Sequence, residues 1–473
     1  MKIIISHKTL NSMLAMIIVM VGLGSIGFST QSGKAAPVLQ DGPVYIVQQG
    51  DTLNDIALRF GIQPEELLSV NNLDDPNALF IGQQLVIPGL EGITGTLTSR
   101  VLTFGTSLTQ LTRQFDLNPE DLVRLNRITS PTEAIAGVRL IVPTIEGQDQ
   151  QNPVVRTKSG ETALEAAIRS NTSPWILAET NQLTSPWDII PGETLFGSGE
   201  DENNVEVLPG IAALSIDALP LIQGETLQIN LSSDVPVEVQ GRINGDTFNF
   251  FEDGEGQYYG LYGIYARAQT GAYPLQIVIQ YPDGQQVTFE QLVYLADGGY
   301  GNEWVFVGED YLDDDIIDEE NNLMRSLFDR ETSVRYWDGR FQSPVDQVCV
   351  DSPFGARRNY NDGELMWYHT GIDYGWRCVT SLNIYAPAAG EVIFTDELNI
   401  CGMAVLIDHG WGVFSRYCHM SEFTVDTGDL VQPGDLLGLI GNTGRSTGPH
   451  LHFEILIDGT PVNPQTWLNR TFP

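Results

Sequence analysis

The stretch GPHLHFEILI, residues 448–457, alternates polar and apolar positions from His450 onward. Period-two alternation is the signature of a β-strand, in which residues two apart share a face. His450 and His452 therefore project side by side, and Leu451 between them turns to the core. The chain has only six histidines, at positions 7, 369, 409, 419, 450 and 452. Five fall in the C-terminal quarter, among short runs such as NIYAPAAGEVIFT, GMAVLIDHG and DLLGLIGNTG that read as strand and turn.

Upstream, HTGID sets His369 four residues before Asp373, and RYCHM supplies His419. Two histidines and an aspartate make a good zinc environment. Three protein ligands leave a fourth position for water, the catalytic arrangement. Bound zinc brings that water's pKa from 15.7 toward ~7, and a neighbouring imidazole can accept its proton. GRSTG, residues 444–448, formally fits the serine-nucleophile pattern G-x-S-x-G. That pattern needs a helix after the serine, and here a strand follows. HExxH is absent.

These motifs resemble the lysostaphin-like zinc metallopeptidases, whose signatures are HxxxD and HxH. SPFGARRNYN, YHTGIDYG, YAPAAGEV, VLIDHGWGVFSRYCHM, VQPGDLLGLIGNTGRSTGPHLHFEI and NPQTWL extend the resemblance over about residues 345–470. The resemblance implies a peptidase domain at residues 345–473, an antiparallel β-sheet of the duplicated hybrid motif type. It implies one catalytic Zn2+ held by His369, Asp373 and His452, with His450 as general base. His419 would be the second catalytic histidine, stabilising the tetrahedral intermediate. The implied substrate is a peptide bond in the stem or cross-bridge of peptidoglycan. CVTSLNIYAP and GMAV depart from the family pattern in loops near the groove. His409 reads as a turn histidine. Arg357 and Arg358 either steer substrate carboxylates or are surface charge. By family analogy, Asn361 or the acidic segment before it covers the metal in a latent form. The rival is a non-enzymatic regulator of other wall hydrolases; that reading expects missing ligands, and none is missing.

A repeat organises the N-terminal half. Gly50, Gly105 and Gly160 recur 55 residues apart, as do Pro64, Pro119 and Pro174, then Asn71, Asn126 and Asn181, and Gly82, Gly137 and Gly192. In the first copy VYIVQQ reads as a strand. Asp51 or Thr52 caps a helix whose Leu53, Ile56, Ala57 and Phe60 share one face. Gly61 ends it, Pro64 opens a second helix, and QQLVIP closes with a strand. This β-α-α-β unit resembles the LysM domain, a binder of N-acetylglucosamine glycans such as peptidoglycan and chitin. The modules are expected at residues 43–89, 98–144 and, divergently, 153–198. In the third the helix face is expected at Leu164, Ala167 and Ile168. By resemblance, Asp51, Thr52, Leu79 and Ile81 line the glycan groove.

Residues 205–300 hold short β runs and are expected to form an immunoglobulin-like sandwich that spaces the ends. Residues 301–344 are an acidic linker with a short helix at LMRSLF. GEDYLDDDIIDEE, residues 308–320, lacks the glycine of a calcium loop and reads as solvated charge. The fold class is thus mainly β and multidomain. A net charge of −37 excludes nucleic acid as a partner and favours a monomer. Residues 1–36, with Lys2 and Lys8 before an apolar run, read as a signal peptide or membrane anchor, placing the protein outside the cell, at the wall or cell surface. In that compartment Cys349, Cys378, Cys401 and Cys418 form disulfides, Cys378–Cys401 being the favoured pair.

Overall fold

Each repeat closes on the same side-chain staple. The Asn71 amide donates to the carbonyls of Leu67 and Val86 and accepts from the Val86 N–H. Asn126 does this with Leu122 and Ile141, and Asn181 with Leu177 and Phe196. One side chain thus ties a carbonyl in the last turn of the helix to both polar groups of a strand residue. Aspartate could accept but not donate.

The computed structural model describes residues 42–473 apart from 78, 91, 131–134, 145–150, 159–160, 184–192, 198–210, 309–311, 364 and 378–379. The expected signal or anchor lies outside the described residues. Among those described, no helix is long and apolar enough to cross a membrane. The first repeat runs Val44–Ile46, Leu53–Phe60, Pro64–Val70 and Gln84–Val86. Thr52 caps its first helix by accepting from the Asp55 N–H, and Gly61 ends it at φ 70°. The second repeat runs Thr96–Val101, Leu108–Gln114, Pro119–Asn126 and Arg139–Thr144. Val44–Ile46 lies parallel to Thr96–Val101, so the two repeats share one four-stranded sheet. The third keeps the order, with Asn152–Arg156, Ala163–Arg169, Pro174–Thr180 and Thr194–Gly197. Of the expected face its helix buries Ala167, together with Ala166, whereas Leu164 and Ile168 are exposed. Small alanines suit the thin core of Val155, Leu177 and Leu195.

Residues 211–296 form one eight-stranded ladder rather than two separate sheets. Asp246–Glu252 is the corner: its first half pairs with Glu238–Ile243 and its second with Gln257–Gly263. The ladder curls over one core that includes Ile229, Leu231, Phe248, Leu275 and Ile277. It does not act as a free spacer. Leu261 and Ala266 are buried in the same core as Tyr374 and Phe453 of the C-terminal sheet. Phe251 stacks on Trp411 at 5.5 Å, and the Trp467 indole donates to Thr226.

The described part of the acidic segment is mostly solvated, as expected, but it is helical and one of its carboxylates is buried. Asp313 caps a helix over Asp314–Phe328 that buries Glu320 and Met324. The Glu320 carboxylate accepts from the backbone N–H groups of Ile400 and Cys401. The helix also presents Leu327 and Phe328 to Phe414, Leu406 and Leu456.

The C-terminal sheet has ten strands. Its centre is Ile372–Gly375, His450–Ile457, Val413–Phe423 and Gly402–Gly410, side by side and antiparallel. Cys401 sits just before Gly402–Gly410, and the neighbouring strand brings Cys418 back beside it. The disulfide is therefore Cys401–Cys418, not Cys378–Cys401. Cys349 is also disulfide-bonded. His409 is no turn residue: it is fully buried in its strand, donates from Nδ1 to the Ala389 carbonyl and meets the Ser415 hydroxyl through Nε2.

Two outcomes follow from these contacts. Asn126→Ala removes the staple of the second repeat at a cost of about 1–3 kcal/mol. Hydrogen exchange at the Ile141 amide is expected to speed up about tenfold or more, while amides of the C-terminal sheet are unaffected. Burial pushes His409 down from 6.5 to about 4. Between those values the unfolded chain takes up a proton that the folded chain refuses, so stability is full above pH 6.5 and falls as pH drops toward 4. The loss is about 3 kcal/mol. Urea midpoints at pH 7 and pH 4.5 are expected to differ less in His409→Gln than in the parent.

Candidate metal centre

Register brings the sequence-predicted residues together. His452 lies opposite Asp373 on one neighbouring strand and opposite Cys418 on the other. His419 follows Cys418 at φ 64°, a left-handed conformation, and its N–H donates to the Cys401 carbonyl at 2.7 Å. His369 is held beside the sheet by backbone hydrogen bonds with Gly355 and Ala356. Gly371, two residues on, allows the chain to turn into Ile372–Gly375; a Cβ there would lie 2.3 Å from the Phe453 carbonyl oxygen. Leu451 is fully buried, as the alternation requires.

Three donor atoms converge. His369 Nε2 is 2.9 Å from Asp373 Oδ1 and 3.0 Å from His452 Nδ1, and the last two are 2.8 Å apart. His369 Nδ1 lies 2.8 Å from the Pro353 carbonyl, which can only accept, so that nitrogen carries the proton and Nε2 a lone pair. His452 Nε2 faces the Glu454 carboxylate at 2.9 Å, which directs the lone pair of Nδ1 inward. Two lone pairs and a carboxylate oxygen thus point at one another in a buried space, an arrangement that needs a cation. Tetrahedral zinc ligands at ~2.0–2.1 Å lie roughly 3.3 Å apart, a few tenths of an ångström from the spacing found. These three residues form the group among those described that could hold a metal.

The electrostatics agree. Burial pushes the Asp373 carboxyl up, but contact with His369 and His452 outweighs it and holds the group well below the ordinary range. Burial holds His369 below its ordinary value. His452 is buried too, yet its position between Asp373 and Glu454 raises it. Without a metal a proton fills this gap, so metal binding releases it.

The other two histidines flank the donors. His450 Nδ1 donates to the Gly448 carbonyl at 2.7 Å, and its Nε2 lies 3.6 Å from Asp373 Oδ1. His419 Nδ1 donates to the Thr443 carbonyl at 2.7 Å. Burial first, then His450 and His452, push His419 down to about 3. It is therefore neutral with an accepting Nε2; a donor role toward an oxyanion requires that it first be protonated. The two rings stand 4.7 Å apart. His419 and His452 line a groove of about 950 Å3, with the helix Asp314–Phe328 as one wall.

Two supports escaped the sequence reading. Glu454 is fully buried; besides His452 it takes bonds from Thr370 and from Arg416 at 2.6 Å. It lies two residues after His452 on the same face of the strand, which is the signal that could have found it. Arg358 is not surface charge. It donates to Asp373 at 2.7 Å and to Glu303 at 3.2 Å, fixing the metal-facing carboxylate from behind. Arg357 is exposed. Asn361 does not cover the centre; its amide is bonded on both sides to the Val307 backbone.

The expected glycan residues lie on the two loops that meet where Val44–Ile46 pairs with Gln84–Val86. The Asp51 carboxylate is occupied by the Tyr45 hydroxyl and the Gln48 N–H, and Thr52 by its helix cap. Leu79 packs against the module core, and Ile81 is 67% exposed next to Phe80 at 66%.

Replacing Glu454 by Gln leaves the buried Arg416 uncompensated and weakens the hold on the His452 tautomer. Metal affinity is expected to fall about 10–100-fold, read by competition with a chromophoric chelator.

Residues 367–464 match peptidase family M23, and residues 45–88 and 104–143 match the LysM domain. The chain is 41% identical over 123 residues to the DD-carboxypeptidase/endopeptidase Mpg of Neisseria meningitidis serogroup B, covering 26% of this chain and 27% of that protein. It is 38% identical over 121 residues to the peptidoglycan DD-endopeptidase ShyA of Vibrio cholerae, covering 25% and 28%. It is 37% identical over 108 residues to the murein hydrolase activator EnvC of Escherichia coli, covering 23% and 25%. The chain thus spans about a quarter of the length of the curated relatives it matches. A putative peptidase M23 from Pseudomonas aeruginosa aligns in structure with TM-score 0.38 at 24% identity, over 54% of this chain and 96% of that one. The chain is mainly β, with LysM domains in its N-terminal part and a peptidase family M23 domain at its C-terminal end.

Proposed function

We propose that the protein is an exported, zinc-dependent peptidoglycan endopeptidase. It cuts stem or cross-bridge peptides, is held on glycan by its LysM repeats, and works as a monomer at the cell wall or cell surface. The observation that carries this reading is the convergence of His369 Nε2, Asp373 Oδ1 and His452 Nδ1, with His450 Nε2 3.6 Å from the aspartate. The names of the relatives support the substrate, and the M23 match supports the reaction class.

Zn2+ bound there supplies a Lewis acid that polarises the scissile carbonyl and acidifies water. The chain's own residues do the rest. His450 Nε2, free to accept because Nδ1 is committed to Gly448, takes a proton from the attacking water. Oxygen bonds to the carbonyl carbon and the C–N bond breaks. The imidazolium returns the proton to the departing amine, leaving a carboxylic acid and a free amino group. His419 offers a second accepting nitrogen that orients the water beside His450. Arg358 and Glu454 keep Asp373 and His452 aimed during this transfer.

Purified protein on peptidoglycan is expected to release new amino groups, to lose that activity with a chelator and to regain it with Zn2+. His450→Ala is expected to lower the rate about 100-fold or more while retaining bound zinc. Unchanged release by His450→Ala overturns the base assignment. Absence of release by the zinc-loaded parent favours the regulator reading.

A further inference from the structure

The period of 55 residues matches positions of the first two repeats one to one, and two matching edges differ in their surroundings. Asp51, Thr52, Leu79 and Ile81 of the first repeat correspond to Thr106, Ser107, Ala134 and Ala136 of the second. The backbone frame is the same in both. The Gly82 N–H donates to the Val47 carbonyl at 2.8 Å, as the Gly137 N–H does to Leu102. The Val47 N–H donates to Gln83 at 2.9 Å, as the Leu102 N–H does to Val138. In each copy the two loops therefore form one edge of the same construction. In the first repeat that edge is open. Phe80 is 66% and Ile81 67% exposed. Nothing lies within 4 Å of where a Cβ would stand on Gly50 or Gly82. Among the described residues the N–H groups of Gly50 and Ile81 meet no protein acceptor.

In the second repeat the same edge is filled by the strand Gln286–Ala296 of the β ladder. The Ala136 N–H donates to the Leu292 carbonyl at 2.8 Å, and the Ala136 carbonyl accepts from the Tyr294 N–H at 2.7 Å. Ala136 is fully buried in the core of the ladder, and Phe104 packs against that core, 5.0 Å from Phe289. Gln291 reaches the other loop. Its amide oxygen accepts from the Gly105 N–H at 2.6 Å, and its amide nitrogen donates to the Thr106 carbonyl at 3.4 Å. Pro220 closes on Gly137, where a Cβ would lie 2.9 Å from the proline Cα.

These contacts have the chemistry of a ligand held by the edge. A glutamine amide offers an accepting oxygen and a donating nitrogen. The acetamido group of an amino sugar offers the same pair. The ladder thus supplies from within the chain what a sugar would supply from outside. A sugar could enter here only by displacing Gln291, breaking both backbone bonds of Ala136 and exposing the apolar contact of Ala136 and Phe104 with the ladder. We infer that the edge of the second repeat is a joint to the β ladder and not a sugar site. Of the first two repeats only the first then captures glycan, through the loops that carry Gly50 and Ile81. This rests on the glycan reading of the repeats given above, and it assigns different roles to two modules that match the same domain. The corresponding second loop of the third repeat falls among residues 184–192, outside those described.

The test is hydrogen exchange on the full chain, read by mass spectrometry with and without an N-acetylglucosamine oligomer. The sugar is expected to slow the amides of residues 48–52 and 79–83 and to leave those of residues 103–107 and 135–138 unchanged. In the sugar-free chain the Gly105 and Ala136 amides are expected to be protected already, and Gln291→Ala to speed exchange at Gly105 about tenfold. Slowing of the second repeat's loops by the sugar, or unprotected Gly105 and Ala136 amides in its absence, overturns the joint. Calorimetry with the same oligomer gives a second readout. Ile81→Ala is expected to weaken a site about tenfold, and Gln291→Ala to weaken none. An unchanged isotherm for Ile81→Ala, or a weakened one for Gln291→Ala, overturns the assignment. Should the sugar slow no amide in either repeat, the capture role of the first falls together with the glycan reading. The sugar-free exchange then still decides the joint, and hydrolysis of a sugar-free cross-linked peptide still decides the peptidase.

Discussion

Three electron-pair donors held within 3.0 Å of one another, which a shared cation must hold together, are the constraint on which the C-terminal domain depends. Such a cluster is self-repelling. It persists in a buried site only because the outer nitrogen or oxygen of each donor residue is tied down: His369 to Pro353, His452 to Glu454, Asp373 to Arg358. Each tie fixes a tautomer or a rotamer rather than adding an independent increment of stability. Glu454 is the costliest member, a fully buried carboxylate whose charge is compensated by the largely buried Arg416. Loss of one partner of such a pair costs about 3–5 kcal/mol, so the support is as demanding as the centre it serves.

Much of this centre was legible because β-structure has a rigid period. A strand that alternates His-Leu-His commits both imidazoles to one face, and HTGID brings a carboxylate to the adjoining strand. The same logic reaches Glu454, two residues further along. What the pattern could not yield is the partner across the ladder. Arg416 is 38 residues away in sequence, and its role follows from register alone. Arg358 was ambiguous for the same reason: an arginine in a loop-rich stretch reads as surface until the strand opposite is known. The disulfide failed likewise. Loop character suggested Cys378 and Cys401, but pairing is decided by which strands lie together, and Val413–Phe423 lies against Gly402–Gly410.

In the N-terminal half the repeat period identified the modules, and the staple explains why asparagine marks it. The third copy shows the limit of helical periodicity. Leu164 and Ile168 satisfy an apolar spacing yet face solvent, because the narrow space beneath the helix admits only Ala166 and Ala167. The ladder over residues 211–296 was legible as β-structure, but its continuity through Asp246–Glu252 was not, since a strand that changes partners midway leaves no mark in composition.

The acidic helix shows how the groove acquires a fixed wall. A run of carboxylates reads as solvated charge because most of it is; one residue in it is not. Glu320 reaches the backbone amides of Ile400 and Cys401. The Cys401 carbonyl accepts from the N–H of His419, and its sulfur is bonded to the residue just before that histidine. The helix and His419 therefore hang on one short segment. Movement of the wall away from the groove must strip a buried carboxylate of its donors or drag that segment with it. On the opposite side of the sheet Trp337, Trp411 and Trp467 lock the peptidase domain onto the curled ladder. A site braced on both sides gains little from a mobile lid. Its selectivity must then come from what the fixed walls present: carboxylates on the helix, with Arg358, Arg445 and Trp367 on the rest of the lining.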